Sequence, residues 1–412
     1  MENTLKGKGN RLDNRISLFF CFYALFTIVI YTLPMLKITL PYMAVALVLL
    51  AGMFFFMYMS SKWMYYVIIL CIASIIIAAI NLLTGSRPLI DDLNELVRNI
   101  RFFIPFLWGS FAVKYCTEKQ KKFVLIVFGI MCGYILIKTF DALQTVPDVC
   151  RELAKSTSRE SAVRTGYRMQ NVGGFEYSYM MGIVTLGFVW NAVTNKSKLI
   201  KILSIAATIV CYYFIIQTMY TLLLILVFVG TLGIFFFNTK KLYVRIIILL
   251  GVMFSVIFLE PGLKFLADLF SFNYGLEEKF TSMYLALRYD DVDMVGSRPE
   301  YLMAGIVNWI EHPIFGGIHK SDSNCHSFII TTLESSGIVG LAVWSGFFGF
   351  NWKQIRSLLP HTTLFDVTML YVLLLSIFNP IGYVFEIVFA AYFIIPIWTY
   401  VFKSPENTNS LK

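Results

Sequence analysis

The sequence predicts an all-α integral membrane protein with about twelve transmembrane helices. Three observations carry that prediction. Of the 412 residues, 58% are hydrophobic and 14% charged, and mean hydropathy is +0.71; soluble chains average about 45–50% apolar and about 25% charged. The apolar residues come in blocks of about 18–22, enough to cross a hydrocarbon core of about 30 Å as helix. Charge is distributed unevenly between alternate connections. Together these exclude a soluble globular enzyme, a disordered chain and a secreted disulfide scaffold. The net charge of +9 does not signal nucleic-acid binding, because membrane topology accounts for it.

In chain order, the spans fall at roughly 16–34, 38–60, 64–83, 98–113, 123–140, 173–194, 199–217, 219–237, 242–259, 337–352, 364–380 and 381–402. The fourth opens on Arg98 and Arg101 and is interrupted by Pro105. The seventh and eighth nearly touch at Gln217-Thr218, which implies a tight hairpin, and only Asn379-Pro380 divides the last two. No small-residue cleavage site follows Leu33, so the first run reads as an uncleaved anchor. The even-numbered connections and both tails hold nineteen of the 34 Lys and Arg but five of the 25 Asp and Glu. Such an excess marks a cytoplasmic face, with both termini inside. Residues 1–412 then form a single polytopic membrane domain with two long extracytoplasmic loops, 141–172 and 260–336. The halves show no repeat of the kind many secondary transporters carry.

Long loops are usually functional or disordered, so candidate chemistry is sought there. Ser297-Arg298-Pro299-Glu300 reads as a capping box that starts a helix, with Pro299 in the first turn. Leu302, Ile306, Trp309, Ile310 and Pro313 recur at helical spacing, which suits a helix lying on the membrane surface. It must end near His312-Pro313. A second short helix is expected from Ser323-Asn324, placing His326 in its first turn, where the helix dipole keeps an imidazole neutral. Ser335-Ser336-Gly337 then joins it to the tenth span.

Ser297-Arg298, Trp309-Ile310-Glu311-His312-Pro313-Ile314-Phe315-Gly316, His326-Ser327 and Leu333-Glu334-Ser335-Ser336-Gly337-Ile338-Val339-Gly340 together resemble the O-antigen ligase and polymerase superfamily. The resemblance covers about 295–342 and, more weakly, 164–187, where Arg168 precedes Gly173-Gly174-Phe175. It implies a GT-C-like bacterial inner-membrane enzyme, a metal-independent inverting glycosyltransferase with no cofactor. Such an enzyme moves a glycan from polyisoprenyl pyrophosphate to the acceptor sugar of a lipid-linked repeat unit. Its partners would be that oligosaccharide and the lipid bilayer, with a chain-length regulator and a flippase beside them and no nucleic acid. The family's arginine after the middle Ser/Thr turn is absent here, where Gln217-Thr218-Met219-Tyr220 stands. His326-Ser327, where ligases more often have His-Asn, leans toward a polymerase of O-antigen, capsule or exopolysaccharide. A ligase is the alternative within the superfamily, and a lipid-linked oligosaccharide flippase the alternative from another class.

The reaction sets the residue requirements. A pyrophosphate leaving group gains charge as the bond to the sugar breaks, and arginine grips phosphate oxygens in pairs. The acceptor hydroxyl needs a general base, worth about 10²–10⁴ in rate. The resemblance makes His326 and Arg298 catalytic and assigns Arg164, Arg168 and Glu334 to pyrophosphate and glycan, with Arg288 added as a further cation of the outer loop. Each also has a plainer reading. Arg298 can be an exposed first-turn residue and His326 a capping one. Arg164 and Arg168 can be structural, and Glu334 can either pair with an arginine or orient His326. Arg151 and Arg159 read as solvated, and Arg87, Arg98 and Arg101 sit among Asp91, Asp92 and Glu95, where ion pairing competes with phosphate. Glu176 and Glu386 lie inside apolar spans and are either functional or protonated packing groups. Asp291-Val292-Asp293 matches the metal-nucleotide motif of many glycosyltransferases but reads as a polar turn, and no metal site is expected. Cys150 and Cys325 are the two outer cysteines and read as unpaired thiols rather than a bridge.

Overall fold

The computed structural model describes residues 21–30, 32–39, 103–154, 162–289, 298–316, 327–379 and 384–402, with single helical positions at 72 and 76. Every regular element among the described residues is helical. Nearly all of the expected spans at 38–60 and 64–83 lies outside them. So do Arg87, Arg98, Arg101, Arg159, Cys325, His326, Ser297 and the Asp291-Val292-Asp293 turn.

The helices are α1 (Cys21–Ile30), α2 (Pro34–Thr39), α3 (Phe103–Tyr115), α4 (Glu118–Thr145), α5 (Val149–Ala154) and α6 (Ala162–Met169). They continue with α7 (Phe175–Thr194), α8 (Lys198–Gln217), α9 (Thr221–Asn238), α10 (Leu242–Ile257), α11 (Leu259–Leu269) and α12 (Tyr274–Tyr289). The last four are α13 (Arg298–Glu311), α14 (Phe328–Leu358), α15 (Thr363–Phe378) and α16 (Phe385–Val401). Four of these, α4, α8, α9 and α14, are long and apolar enough to cross a membrane. The bent pair Leu242–Phe254 and Leu259–Leu269, whose axes differ by 92°, makes a fifth. Among the described residues the protein is therefore an all-helical chain with four or five candidate spans.

Two helices form the centre. α7 is buried without interruption from Tyr177 to Gly187, and α16 from Phe385 to Thr399. A helix apolar on all sides belongs in a core. α8, α9, α15 and α16 pack around α7, while α3 packs on α16. The outer helices α8, α9 and α10 keep a face of exposed Leu, Ile and Phe, as lipid contact requires. Inside, Thr139, Thr185 and Thr368 each donate to the carbonyl four residues earlier, which satisfies these three hydroxyls without water. α16 contains a π turn at Ala390–Ile394 just before Pro396. Proline has no N–H to offer the Tyr392 carbonyl. That carbonyl instead faces Gly109 of α3, so closely that any side chain at 109 would collide with it.

Opposite ends of the bundle differ. Lys119, Lys121 and Lys122 open α4, Lys196 and Lys198 flank the start of α8, and Arg356 closes α14 against Asp366 at 2.9 Å. The other end carries the short helices. α8 and α9 join there through Thr218-Met219-Tyr220, with Met219 in the left-handed region at φ 58°. This is the tight hairpin expected from sequence. α11 and α12 fold back on it around Leu263, Ala267, Leu276 and Phe280, and Asn273 Nδ2 donates to the Ile216 carbonyl at 3.2 Å.

α13 is interlocked with α14. The amides of Ile338 and Val339 donate to the carbonyls of Pro313 (2.9 Å) and Ile314 (3.2 Å). Gly316 (φ 79°) and Gly337 (φ 62°) make that contact, since a side chain on either would strike the opposing backbone. Asn308 Nδ2 adds a bond to the Glu334 carboxylate at 2.8 Å. The expected helix at 298–312 is thus present, and α14 is its packing partner. The side carrying Leu302, Gly305, Ile306 and Trp309 is half-covered or buried, while Met303, Val307, Ile310 and Pro313 stay exposed. One correction concerns α14. It begins at Phe328, not near Asn324, because Ser327 Oγ accepts from the Ile330 amide (3.3 Å) and serves as the N-cap. Ser327 and not Asn324 is thus the cap, and His326 lies outside the described residues. Gly337 breaks α14 as the sequence expectation required.

Candidate functional site

At the end bearing the short helices, a small cleft of about 50 Å³ opens between α6, α7 and α16. Arg168, Glu176 and Glu386 line it with Thr32, Gly174 and Tyr177. The positions follow from local structure. Arg168 is in the last turn of α6, Glu176 in the first turn of α7 and Glu386 in the first turn of α16. A helix N-terminus favours a nearby carboxylate, so both glutamates stand where the backbone dipole supports their charge. Glu386 is only 6% exposed.

The Gly173-Gly174 step sets the start of α7. The Gly173 amide donates to Thr139 Oγ1 at 2.9 Å and its carbonyl accepts from Cys150 Sγ at 3.4 Å. A side chain at 173 would overlap the ring of Tyr177, whose hydroxyl donates to the Cys132 carbonyl at 2.6 Å. Cys150 is a free thiol at the start of α5, and burial pushes its pKa up to about 12.

Behind the cleft lies a second cluster. Glu176 and Arg151 are both within electrostatic reach of the Tyr220 hydroxyl, which donates to the Cys150 carbonyl at 2.6 Å. Tyr220 packs on Phe175 and Tyr179. Arg151 Nη1 also lies against Gly275 at the start of α12. The Tyr179 hydroxyl accepts from Asn379 Nδ2 at 3.3 Å, and the Asn379 carbonyl accepts from the Phe328 amide at 3.1 Å. One chain of contacts therefore runs from the first expected loop, through the α8–α9 hairpin, to the cap of α14 next to His326.

The predicted residues divide accordingly. Arg168 is in the cleft. Arg164 is one turn earlier on α6 and Arg298 is the first residue of α13; the side chains of both are outside the described set. His326 is outside it altogether. Arg288 is exposed at the far end of α12 and donates to its own neighbour Tyr284. Along the helix axis it stands roughly 20 Å from Gly275, so it does not join the Arg151–Tyr220 cluster. Glu334 is buried and bonded to Asn308, which ties it to the docking of α13. The sequence reads Arg151 as solvated or in contact with lipid headgroups; it is half-buried, within electrostatic reach of Tyr220. The signal available was its position directly after the apolar Val149-Cys150 step.

Comparison of the chain with protein-family models, with curated proteins and with solved structures finds no match.

Proposed function

We propose that the protein is a polysaccharide polymerase that transfers a growing glycan from polyisoprenyl pyrophosphate to the acceptor sugar of a lipid-linked repeat unit. The proposal takes the full chain as about twelve spans in a GT-C-like arrangement, in a bacterial inner membrane, with termini in the cytoplasm and the site outside. One observation supports it above the others. Two stretches that carry the resemblance, 164–187 and the segment from Ser327 on, are linked at one end of the bundle through Tyr179, Asn379 and Phe328.

In this reading Arg168, with Arg164 of the same helix and Arg298 of α13, takes up the diphosphate, and its fixed charge offsets the charge that develops on the leaving oxygen. His326 accepts the proton of the acceptor hydroxyl. Attack from the side opposite the diphosphate inverts the anomeric centre. Glu176 and Glu386 hold the guanidinium of Arg168 in place until phosphate competes for it. A lipid-linked glycan flippase is the second reading, favoured by the presence of a cation and two carboxylates inside the helix bundle.

Incubating the purified protein with lipid-pyrophosphate oligosaccharide in the absence of metal, and resolving product lengths on a gel, tests both. A ladder of extended glycans supports the polymerase. Movement of unaltered substrate across a vesicle membrane without new linkages would replace it with the flippase.

A further inference from the structure

A second cleft adjoins the first, with α6 as the wall between them. Arg168 lines one, while its neighbours Tyr167 and Met169 line the other. The second is the larger at about 440 Å³, inside the range of about 300–1,000 Å³ common for small-molecule sites. Tyr134, Lys138 and Asp141 enter it from α4, spaced so that they follow one face of that helix. Tyr167, Gln170 and Asn171 enter from the end of α6 and the turn after it.

Asn171 shapes the wall. Its backbone adopts the left-handed conformation at φ 60°, which asparagine tolerates better than most residues. Its Oδ1 accepts from the Met35 amide at 3.1 Å, and its Nδ2 donates to the Tyr134 hydroxyl at 3.5 Å. The lining thus mixes phenol rings with amide, ammonium and carboxylate groups. Lys138 and Asp141 cancel, so no surplus cation is present for a diphosphate. Nor is the wall apolar enough to suit an acyl chain. A pyranose ring matches both halves of this chemistry. Its C–H faces lie against aromatic rings, and its hydroxyls exchange hydrogen bonds with amide and charged groups.

We infer that this cleft binds a pyranose unit of a neutral oligosaccharide, so that sugar and diphosphate are held on opposite sides of α6. The source of the ligand rests on the glycan-transfer reading above.

The test uses the full-length protein in phospholipid nanodiscs. The probe is the repeat-unit oligosaccharide released by mild acid from its polyisoprenyl carrier in the strain that bears the gene, and hence free of phosphate. Saturation-transfer NMR should report saturable binding, weakened about tenfold or more by Tyr134→Ala and by Tyr167→Ala. Phe237→Ala, on the exposed face of α9, should bind as the wild type does. Should a tyrosine variant lose its monodisperse elution profile, Gln170→Ala replaces it, being at an exposed position. A photocross-linking residue at Met169 should capture the sugar. The inference is overturned by absent wild-type binding, by binding that survives these substitutions, or by capture of phospholipid that added oligosaccharide does not displace. Binding without chain extension would remove only the polymerase reading; extension without binding would remove only this one.

Discussion

Arg168 shares its cleft with two carboxylates, Glu176 and Glu386. If Arg168 meets the diphosphate, Arg168→Ala should lower the initial rate of chain extension by about a hundredfold or more. Arg168→Lys should recover only part of it, because an ammonium cannot make the paired contact. Rates on the purified lipid-linked donor check this; near wild-type rates in both variants would exclude Arg168 from the reaction. Cys150 offers an independent check on the packing. With its pKa raised to about 12 by burial, the thiolate is scarce at pH 8 and the group is enclosed. Maleimide should leave it unmodified in the folded protein and label it after denaturation, read by mass spectrometry of the α5 peptide.

The interlock of α13 with α14 is the element on which the second outer segment depends. Gly337 at φ 62°, ψ −164° occupies backbone space open essentially to glycine alone, where another residue costs about 1–3 kcal/mol. A side chain there would also strike the Ile314 carbonyl. Gly337→Ala should therefore lower the unfolding temperature in detergent and expose α13 to limited proteolysis. Gly346, on the same helix with open space around its Cα, makes the control. Gly346→Ala should be neutral or slightly stabilising, since alanine favours helix over glycine by about 1 kcal/mol. Equal effects of the two substitutions would mean that the glycine interlock does not hold α13. The start of α13 was legible because Pro299 and the apolar repeat are local signals. The packing of its apolar face was not, because amphipathic periodicity says that a face is covered but not by what. α11 and α12 were missed for a related reason. Their apolar positions Leu276 and Phe280 are sparse among Glu277, Glu278 and Lys279, and they bury a core only against each other and the hairpin at Ile216.

For the whole molecule, the basic ends of α4, α8 and α14 lie opposite the end that carries the short helices. Under the positive-inside rule, a cysteine introduced at Tyr301, on the exposed side of α13, should react with a membrane-impermeant reagent in intact cells. One introduced at Lys240 should react only after the membrane is opened. The reverse pattern would place the cleft in the cytoplasm and end the proposed function. Helical class, membrane residence and the asymmetry of charge were determined by sequence alone, since each is a sum over contiguous residues that needs no knowledge of neighbours. The meeting of Arg168 with Glu176 and Glu386, the shift of Arg151 to the side of Tyr220, and the start of α14 after His326 were decided only by tertiary structure. Each depends on which buried face of α7 and α16 packs against which loop, and periodicity is the same for every such pairing.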